Sequence, residues 1–449
     1  MDDIAGLRTA IFTWITDDPD PGGREELYRL LDRLPASAAE LRDRFAAPHC
    51  FHGPLRAGPN GINLATVRAT AAALAKELSE DDLVLVGYDD RPRGFDLALE
   101  AARTLTGAGA RAVLFGHPVT SPYVSHEARA RDAVAVLITG GLDDPSVSGV
   151  RVVNGPSLRS LSLSVQNLGP LTEIPQGPVP RVSEPEPEEY LASQVRLVDP
   201  YDPKIIPFHS SSPLLASALE EAGFGPFTEA ADAELLLDLA PDGSSCTASV
   251  RDDEEWRELS PADLALLLAD HWRRKEREGS YVSDHGLIRG FSTGDAPVYR
   301  FATGPRLRHN AFGSSPDGLA AALVLTEVAA GMAAQLRTVL DRLDELAAEH
   351  GVHLTSHVEF DVPPSECDMY LRRIAKCDKL LDAPVTRSAG DGMRLTGPGF
   401  SAAFECGPSL SVRLEVREEP VPDLPVARER ARASVEALST EITGLLGIA

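Results

Sequence analysis

Val134-Ala-Val-Leu-Ile-Thr-Gly-Gly-Leu-Asp-Asp-Pro-Ser-Val-Ser-Gly149 is the stretch whose reading decides the fold. Its first half is an unbroken apolar run, the pattern of a strand buried on both faces over Val134–Thr139. Its second half carries two glycines, two adjacent aspartates, a proline and a closing Gly149, the composition of a loop. A buried strand emptying into such a loop is where open α/β sheets place their chemistry. No nucleophile stands at the apex of this loop.

Upstream, the spacing predicts a helix over Leu64–Leu78, a strand over Leu83–Gly87 and a loop over Tyr88–Gly94. A helix over Phe95–Gly107, a strand over Ala112–Phe115 and a loop over Gly116–Pro122 follow. Strands and helices alternating at this spacing argue for a parallel α/β domain. Residues 1–47 read as helices, with Ile4, Leu7, Ile11 and Trp14 at helical spacing, forming a packing arm on that domain.

Downstream, Gln176–Glu189 is rich in proline and charge and reads as an extended linker. A second α/β block starts near Lys204, with a helix over Leu214–Ala222, a buried strand over Glu234–Leu239 and a helix over Pro261–Arg274. A third holds a long helix from Gly318, with Asp317 placed to cap it, and another over Leu340–Glu349. From Val358 the pattern becomes that of a small α+β domain, closed by a helix over Val426–Leu446.

The 449 residues exceed one ordinary core, and at roughly 150 residues per domain suggest about three. The net charge of -25 repels polyanions, which argues against nucleic acid and anionic membrane surfaces as partners. The five cysteines are scattered with no CxxC pair and are expected to be reduced thiols. The acidic N-terminus does not read as a signal peptide, and no apolar run reaches the ~18 residues of a membrane span. A soluble, cytoplasmic protein is expected.

Gly58-Pro-Asn-Gly-Ile-Asn63 is similar to the GPNRMN of the α-D-phosphohexomutase family, the phosphoglucomutases and phosphomannomutases. Gly87-Tyr-Asp-Asp-Arg-Pro-Arg93 is similar to its GYDxRxRS, and Leu340–Leu354 looks like the end of its third domain. The resemblance runs nearly the whole chain in order. It implies a four-domain α/β architecture, three related α/β domains plus a C-terminal α+β domain around a central cleft. The implied domains span residues 1–182, 190–278, 279–356 and 357–449.

Four loops carry that family's chemistry. In the phosphoserine loop TASHNP a hydroxyl must carry the phosphoryl group, and here Gly141 stands at the serine position and Leu142 at the histidine position. Thr139, Pro145 and Gly149 remain. The Mg²⁺ loop (DGDADR or DPDADR) supplies three aspartates, and Mg²⁺ requires hard oxygen ligands. In Ala240-Pro-Asp-Gly-Ser-Ser245 only Asp242 is retained, with Ala240 and Ser244 at the other ligand positions. Asp238, Asp143 and Asp144 are the carboxylates from which a site would have to be rebuilt. The sugar-gripping glutamates are absent from Phe301–Arg306, and the phosphate-binding arginine from Ala402–Ser411, where Glu405 stands instead.

Of the family-like polar residues, Arg56, Arg91 and His209 survive as candidates to hold an anionic sugar or a nucleotide. The plainer reading is that they hold loops together by hydrogen bonds, as Asp89 and Arg91 would. The resemblance with emptied loops implies a non-catalytic member of the family, acting by binding a metabolite or a protein partner, an active paralogue included. A divergent phosphosugar mutase with a rebuilt site, and an enzyme of a specialised biosynthetic pathway, are the alternatives. No cofactor is expected, with Mg²⁺ entering only under the divergent-mutase reading.

Overall fold

The computed structural model describes residues 4–46, 51–79, 82–140, 146–157, 160–161, 164–165, 168–275, 280–283, 298–303, 307–310, 317–360, 362, 364–389, 393–406 and 410–447. The chain forms two compact bodies, Met1–Tyr190 with Ala240–Gly243, and Leu191–Leu239 with Ser244–Ala449.

The first body opens with three helices, α1 (Ile4–Asp17), α2 (Pro21–Asp32) and α3 (Ala38–Ala46). Asp20 caps α2 by accepting from the Gly22 N–H. Ile11, Ile15, Leu27, Leu30 and Leu41 form their own small core, to which Ala57 of the following loop belongs. The arm expected from helical spacing is therefore present and docked.

A six-stranded sheet follows, built from β1 (His52–Pro54), β2 (Leu83–Tyr88), β3 (Arg111–Phe115), β4 (Val134–Ile138), β5 (Val147–Val153) and β6 (Arg181–Ser183). Its order is β1-β5-β4-β2-β3-β6. Strands β4, β2, β3 and β6 run parallel, while β5 is antiparallel to both β4 and β1. The helices are α4 (Leu64–Glu77), α5 (Gly94–Gly107) and α6 (Ser121–Ala130). Asn63 and Thr66 close a capping box at the start of α4. Val84 and Val86 share a core with α4 and α5, and Leu85 between them is just as buried. Burial on both faces is why these strands read as continuous apolar runs.

Two expectations change here. The Gln176–Glu189 linker contains β6, which extends the parallel sheet along β3. Three residues between prolines show no periodicity in the sequence, yet an edge strand needs no more. The loop after β4 is also shorter than expected, because Val147, Ser148 and Gly149 already pair with Pro54, Gly53 and His52.

In the second body, α7 (Glu188–Val195) leads to an eight-stranded sheet of β7 (Ile205–His209), β8 (Gly225–Phe227), β9 (Leu235–Leu239), β10 (Cys246–Asp252), β11 (Glu255–Glu258), β12 (Ser280–Ser283), β13 (Val298–Thr303) and β14 (Leu307–Asn310). This one sheet draws strands from both sides of residue 279. Its helices are α8 (Pro213–Glu221), α9 (Pro261–Arg274), α10 (Gly318–Ala333) and α11 (Val339–His350). Asp317 caps α10 through the Ala320 N–H, as the sequence suggests. Helix α10 is apolar all round and buried along nearly its whole length.

The C-terminal region holds β15 (Val352–Phe360), α12 (Pro364–Ile374), a small ribbon of β16 (Lys379–Leu380) and β17 (Ala383–Pro384), β18 (Thr386–Ala389), β19 (Met393–Gly397), β20 (Phe400–Cys406), β21 (Leu410–Glu418) and α13 (Leu424–Leu446). The antiparallel order is β15-β21-β20-β19-β18. Leu438, Ile442 and Leu446 of α13 pack with Ile374 of α12 onto Leu395, Phe404 and Leu414 of this sheet. This is the α+β unit expected from Val358 onward.

The cysteine expectation is corrected. Cys367 on α12 and Cys406 at the end of β20 form a disulfide, with Cα atoms 6.1 Å apart. The helix packs on the sheet so that two residues 39 apart in sequence meet, a proximity no CxxC spacing would reveal. Cys246 and Cys377 are buried thiols, and Cys50 lies outside the described residues. Among the described residues, no helix is long and apolar enough to cross a membrane.

Candidate functional site

The site is built where β2 and β4 end. These strands are parallel neighbours with Tyr88 opposite Ile138, so the next residues, Asp89 and Thr139, emerge side by side. The Asp89 N–H donates to the Ile138 carbonyl at 3.1 Å. Thr139 Oγ1 donates to Asp89 Oδ2 at 2.7 Å, and Arg91 Nε donates to the same oxygen at 3.1 Å. Arg91 Nη1 reaches across to the Val147 carbonyl at 3.1 Å. All three side chains are buried.

Gly140 lets this arrangement close. A Cβ there would lie 2.6 Å from the Arg91 guanidinium carbon and 2.5 Å from the Val147 carbonyl oxygen. On the other side of the loop, His52 Nε2 lies 2.9 Å from the Gly140 carbonyl oxygen. Gly141, Leu142, Asp143, Asp144 and Pro145, where the sequence places the emptied phosphoserine position, lie outside the described residues.

Burial dominates the electrostatics of Asp89 and pushes its pKa up, against the lowering pull of the Thr139 and Arg91 hydrogen bonds. The nearby Asp242 charge adds to the rise. Asp89 Oδ1 is buried without a hydrogen-bond partner. The turn carrying Asp242 lies against the start of α6, where the Ser121 N–H donates to the Asp242 carbonyl at 2.7 Å. A Cβ on Gly243 would sit 2.6 Å from Thr120 Cβ. The chain can approach this closely only because Gly243 has no side chain.

The surviving candidates have separate surroundings. Arg56 donates to the Asn60 carbonyl and pairs with Asp43 at 2.7 Å. Arg91 is held by Asp89. His209 belongs to the second body, where Nδ1 lies 2.8 Å from the Thr228 carbonyl oxygen and the ring stacks on Phe227. Arg56 and Arg91 thus share the first body, and His209 does not. Glu405 pairs with Arg413 at 3.1 Å, and Asp238 accepts from both the N–H and the hydroxyl of Ser211.

The residues present do not fit a Mg²⁺ site of the family's kind. Mg²⁺ is held mainly by carboxylates and water in near-octahedral geometry, and the aligned turn offers the single carboxylate of Asp242. Among the described residues, no group of three His, Cys, Asp or Glu side chains is placed to hold a metal.

Two charged clusters escaped sequence reasoning. Arg93, the left-handed residue preceding α5, pairs with Asp20 at 2.7 Å. In the second body, His271 on α9 pairs with Glu327 on α10 at 2.7 Å, and Lys275 Nζ lies 3.8 Å from Glu327. The one sequence signal for the second cluster was Glu327 itself, the single charge in the apolar run of α10.

Residues 53–158 match the family model described as phosphoglucomutase/phosphomannomutase, alpha/beta/alpha domain I. A protein from Thermus thermophilus described as a phosphomannomutase is similar in structure at a TM-score of 0.62 and 16% identity, over 88% of this chain and 98% of that one. A phosphoglucomutase/phosphomannomutase family protein from Burkholderia thailandensis matches at 0.59 and 14%, over 88% and 98%. The parafusin (phosphoglucomutase) of Paramecium in its open form matches at 0.60 and 10%, over 85% and 92%. No curated protein matches the chain. The α-D-phosphohexomutase resemblance therefore stands: residues 53–158 match the model of the phosphoglucomutase/phosphomannomutase domain I, and the chain shares the mixed α/β fold of these solved structures.

Proposed function

We propose that this protein binds a phosphate-bearing sugar on the phosphohexomutase scaffold without interconverting it. The observation that carries the reading is the commitment of the Thr139–Asp89–Arg91 cluster to itself. The arginine is engaged through Nε by Asp89 and through Nη1 by a backbone carbonyl, and the hydroxyl by the same carboxylate. With Gly141 at the phosphoserine position and Asp242 alone in the metal turn, a phosphoryl relay lacks both its carrier and its counter-ion. The test is a coupled assay with glucose 1-phosphate and mannose 1-phosphate, Mg²⁺ and a bisphosphate activator, run beside calorimetry with the same sugars. Binding without turnover is expected. Turnover above background overturns the reading.

The Thr139–Asp89 contact itself favours a second reading, a divergent mutase. A hydroxyl held by a buried carboxylate of raised pKa has the form of an activated nucleophile. Phosphorylation of the protein by a labelled sugar bisphosphate, abolished in Thr139→Val, would select this reading over the first.

A further inference from the structure

We propose that the helical unit α1–α3 is a built-in cap, whose carboxylates Asp43 and Asp20 occupy Arg56 and Arg93 in place of the oxygens of a phosphate-bearing ligand. The proposal rests on the phosphate-binding reading above and adds the element that regulates it.

The sheet puts both arginines at one end. Strand β1 is antiparallel to β5, β5 is antiparallel to β4, and β4 is parallel to β2. Strands β1 and β2 therefore run the same way, and the segments that leave them, carrying Arg56 and Arg93, leave at the same end of the sheet. This is the end at which open α/β sheets receive ligands. Helices α4 and α5 begin there too, adding the partial positive charge of their N-termini.

The helical unit is attached to that end by polar contacts. Arg44 Nη1 donates to the Ala57 carbonyl at 3.1 Å, the Asn60 N–H donates to the Arg44 carbonyl at 3.0 Å, and Asn60 Nδ2 donates to the Asp43 carbonyl at 3.0 Å. The carboxylates then take the arginines, Asp43 with Arg56 and Asp20 with Arg93, both at 2.7 Å. One partner of each pair is open to water: the Asp43 side chain is 42% exposed and that of Arg93 41%, while Arg56 at 18% and Asp20 at 11% are largely covered. Water screens both pairs from the open side, so a dissolved anion can compete there for the arginines. The helices also lie outside the matched family domain, which begins at residue 53.

The substitutions can be made without breaking the unit. Asp20 Oδ1 caps α2 while Oδ2 meets Arg93, and asparagine caps as well as aspartate. Asp43 holds Asn60 through its backbone carbonyl, which Asp43→Asn leaves in place.

In the full chain, inorganic phosphate and glucose 1-phosphate would be titrated by calorimetry into the wild type, the double variant Asp20→Asn/Asp43→Asn and the same double variant with Arg56→Gln and Arg93→Gln added. The double variant Glu25→Gln/Asp32→Asn, at two exposed charges on α2, controls for overall charge. The expected result is at least tenfold tighter binding in the double variant, unchanged binding in the control, and loss of the gain once the arginines are removed. Equal affinity in wild type and double variant overturns the cap and leaves the binding reading standing, as does a gain that survives the arginine substitutions. Absence of binding in all variants overturns both.

Discussion

Thr139 donates its hydroxyl hydrogen to Asp89 across the ends of two adjacent parallel strands, and the same carboxylate oxygen receives Arg91. Removing the donor by Thr139→Val leaves a buried acceptor short of one partner, and should lower stability by about 1–3 kcal/mol in urea unfolding at pH 7. The pH dependence has a defined sign. Burial, outweighing Thr139 and Arg91, holds the folded-state pKa of Asp89 above its unfolded value of about 3.9. The folded state then binds the proton more tightly, so this contribution is present at low pH and lost as pH rises through the folded pKa. The cost of Asp89→Asn, measured between pH 4 and pH 7, should therefore shrink as pH rises. A cost that grows would contradict the assignment.

Glu327 has the opposite sign. Burial alone would raise its pKa, but the His271 hydrogen bond, the Asp199 N–H and the Lys275 charge together hold it below the ordinary value. Its stabilisation is therefore present above the unfolded pKa of about 4.3 and lost as pH falls through the folded one. His271→Ala removes one partner of a buried carboxylate that keeps the Asp199 N–H and the Lys275 charge, and should cost about 1–3 kcal/mol at neutral pH. It should also move the acid transition upward, readable by far-UV circular dichroism from pH 6 to pH 2.

The Cys367–Cys406 bond should appear as a cross-linked pair in a non-reducing peptide map and vanish after treatment with a dithiol. Closing a loop over a separation of 39 residues confers about 4 kcal/mol in the chain-entropy account, so Cys406→Ser should lower stability by up to that amount. Cys246 and Cys377 are buried, and burial pushes the Cys377 thiol up, so both should resist alkylation until the protein unfolds.

Gly140→Ala tests the close approach beneath Arg91. The added methyl meets a guanidinium at 2.6 Å and a backbone carbonyl at 2.5 Å, and the backbone cannot yield cheaply. A loss of about 1–3 kcal/mol is expected in chemical unfolding. A neutral outcome would mean that both Arg91 and the Val147 backbone can shift away from residue 140.

Much of the fold was legible wherever periodicity or a cap wrote itself locally. The runs over Leu83–Gly87 and Val134–Thr139, the α10 cap at Asp317 and the helix Val426–Leu446 are all seen close to their expected bounds. What escaped was non-local or short. Strand β6 is three residues set between prolines, and its only signature is the neighbour it pairs with. Cys367 and Cys406 meet because α12 lies on a sheet, and Arg93 meets Asp20 across 73 residues. At the candidate site the sequence offers Arg56 and Arg91 as residues and Asp89 as the partner of Arg91, but no partner for Arg56. The partner of Arg91 lies two residues away in the same segment, whereas the carboxylate that neutralises Arg56 comes from α3, an element no local spacing ties to it.

That neutralisation has a kinetic consequence. Arg44, Arg56, Arg91 and Arg93 are each matched by a carboxylate within the first body, so these four make no open cationic patch, and the chain as a whole carries a net charge of -25. A phosphate ester approaches against the field of the whole molecule rather than along it. Salt shortens the Debye length from about 10 Å at 0.1 M to about 3 Å at 1 M, so it should hasten capture here, the reverse of a protein that steers anions with open arginines.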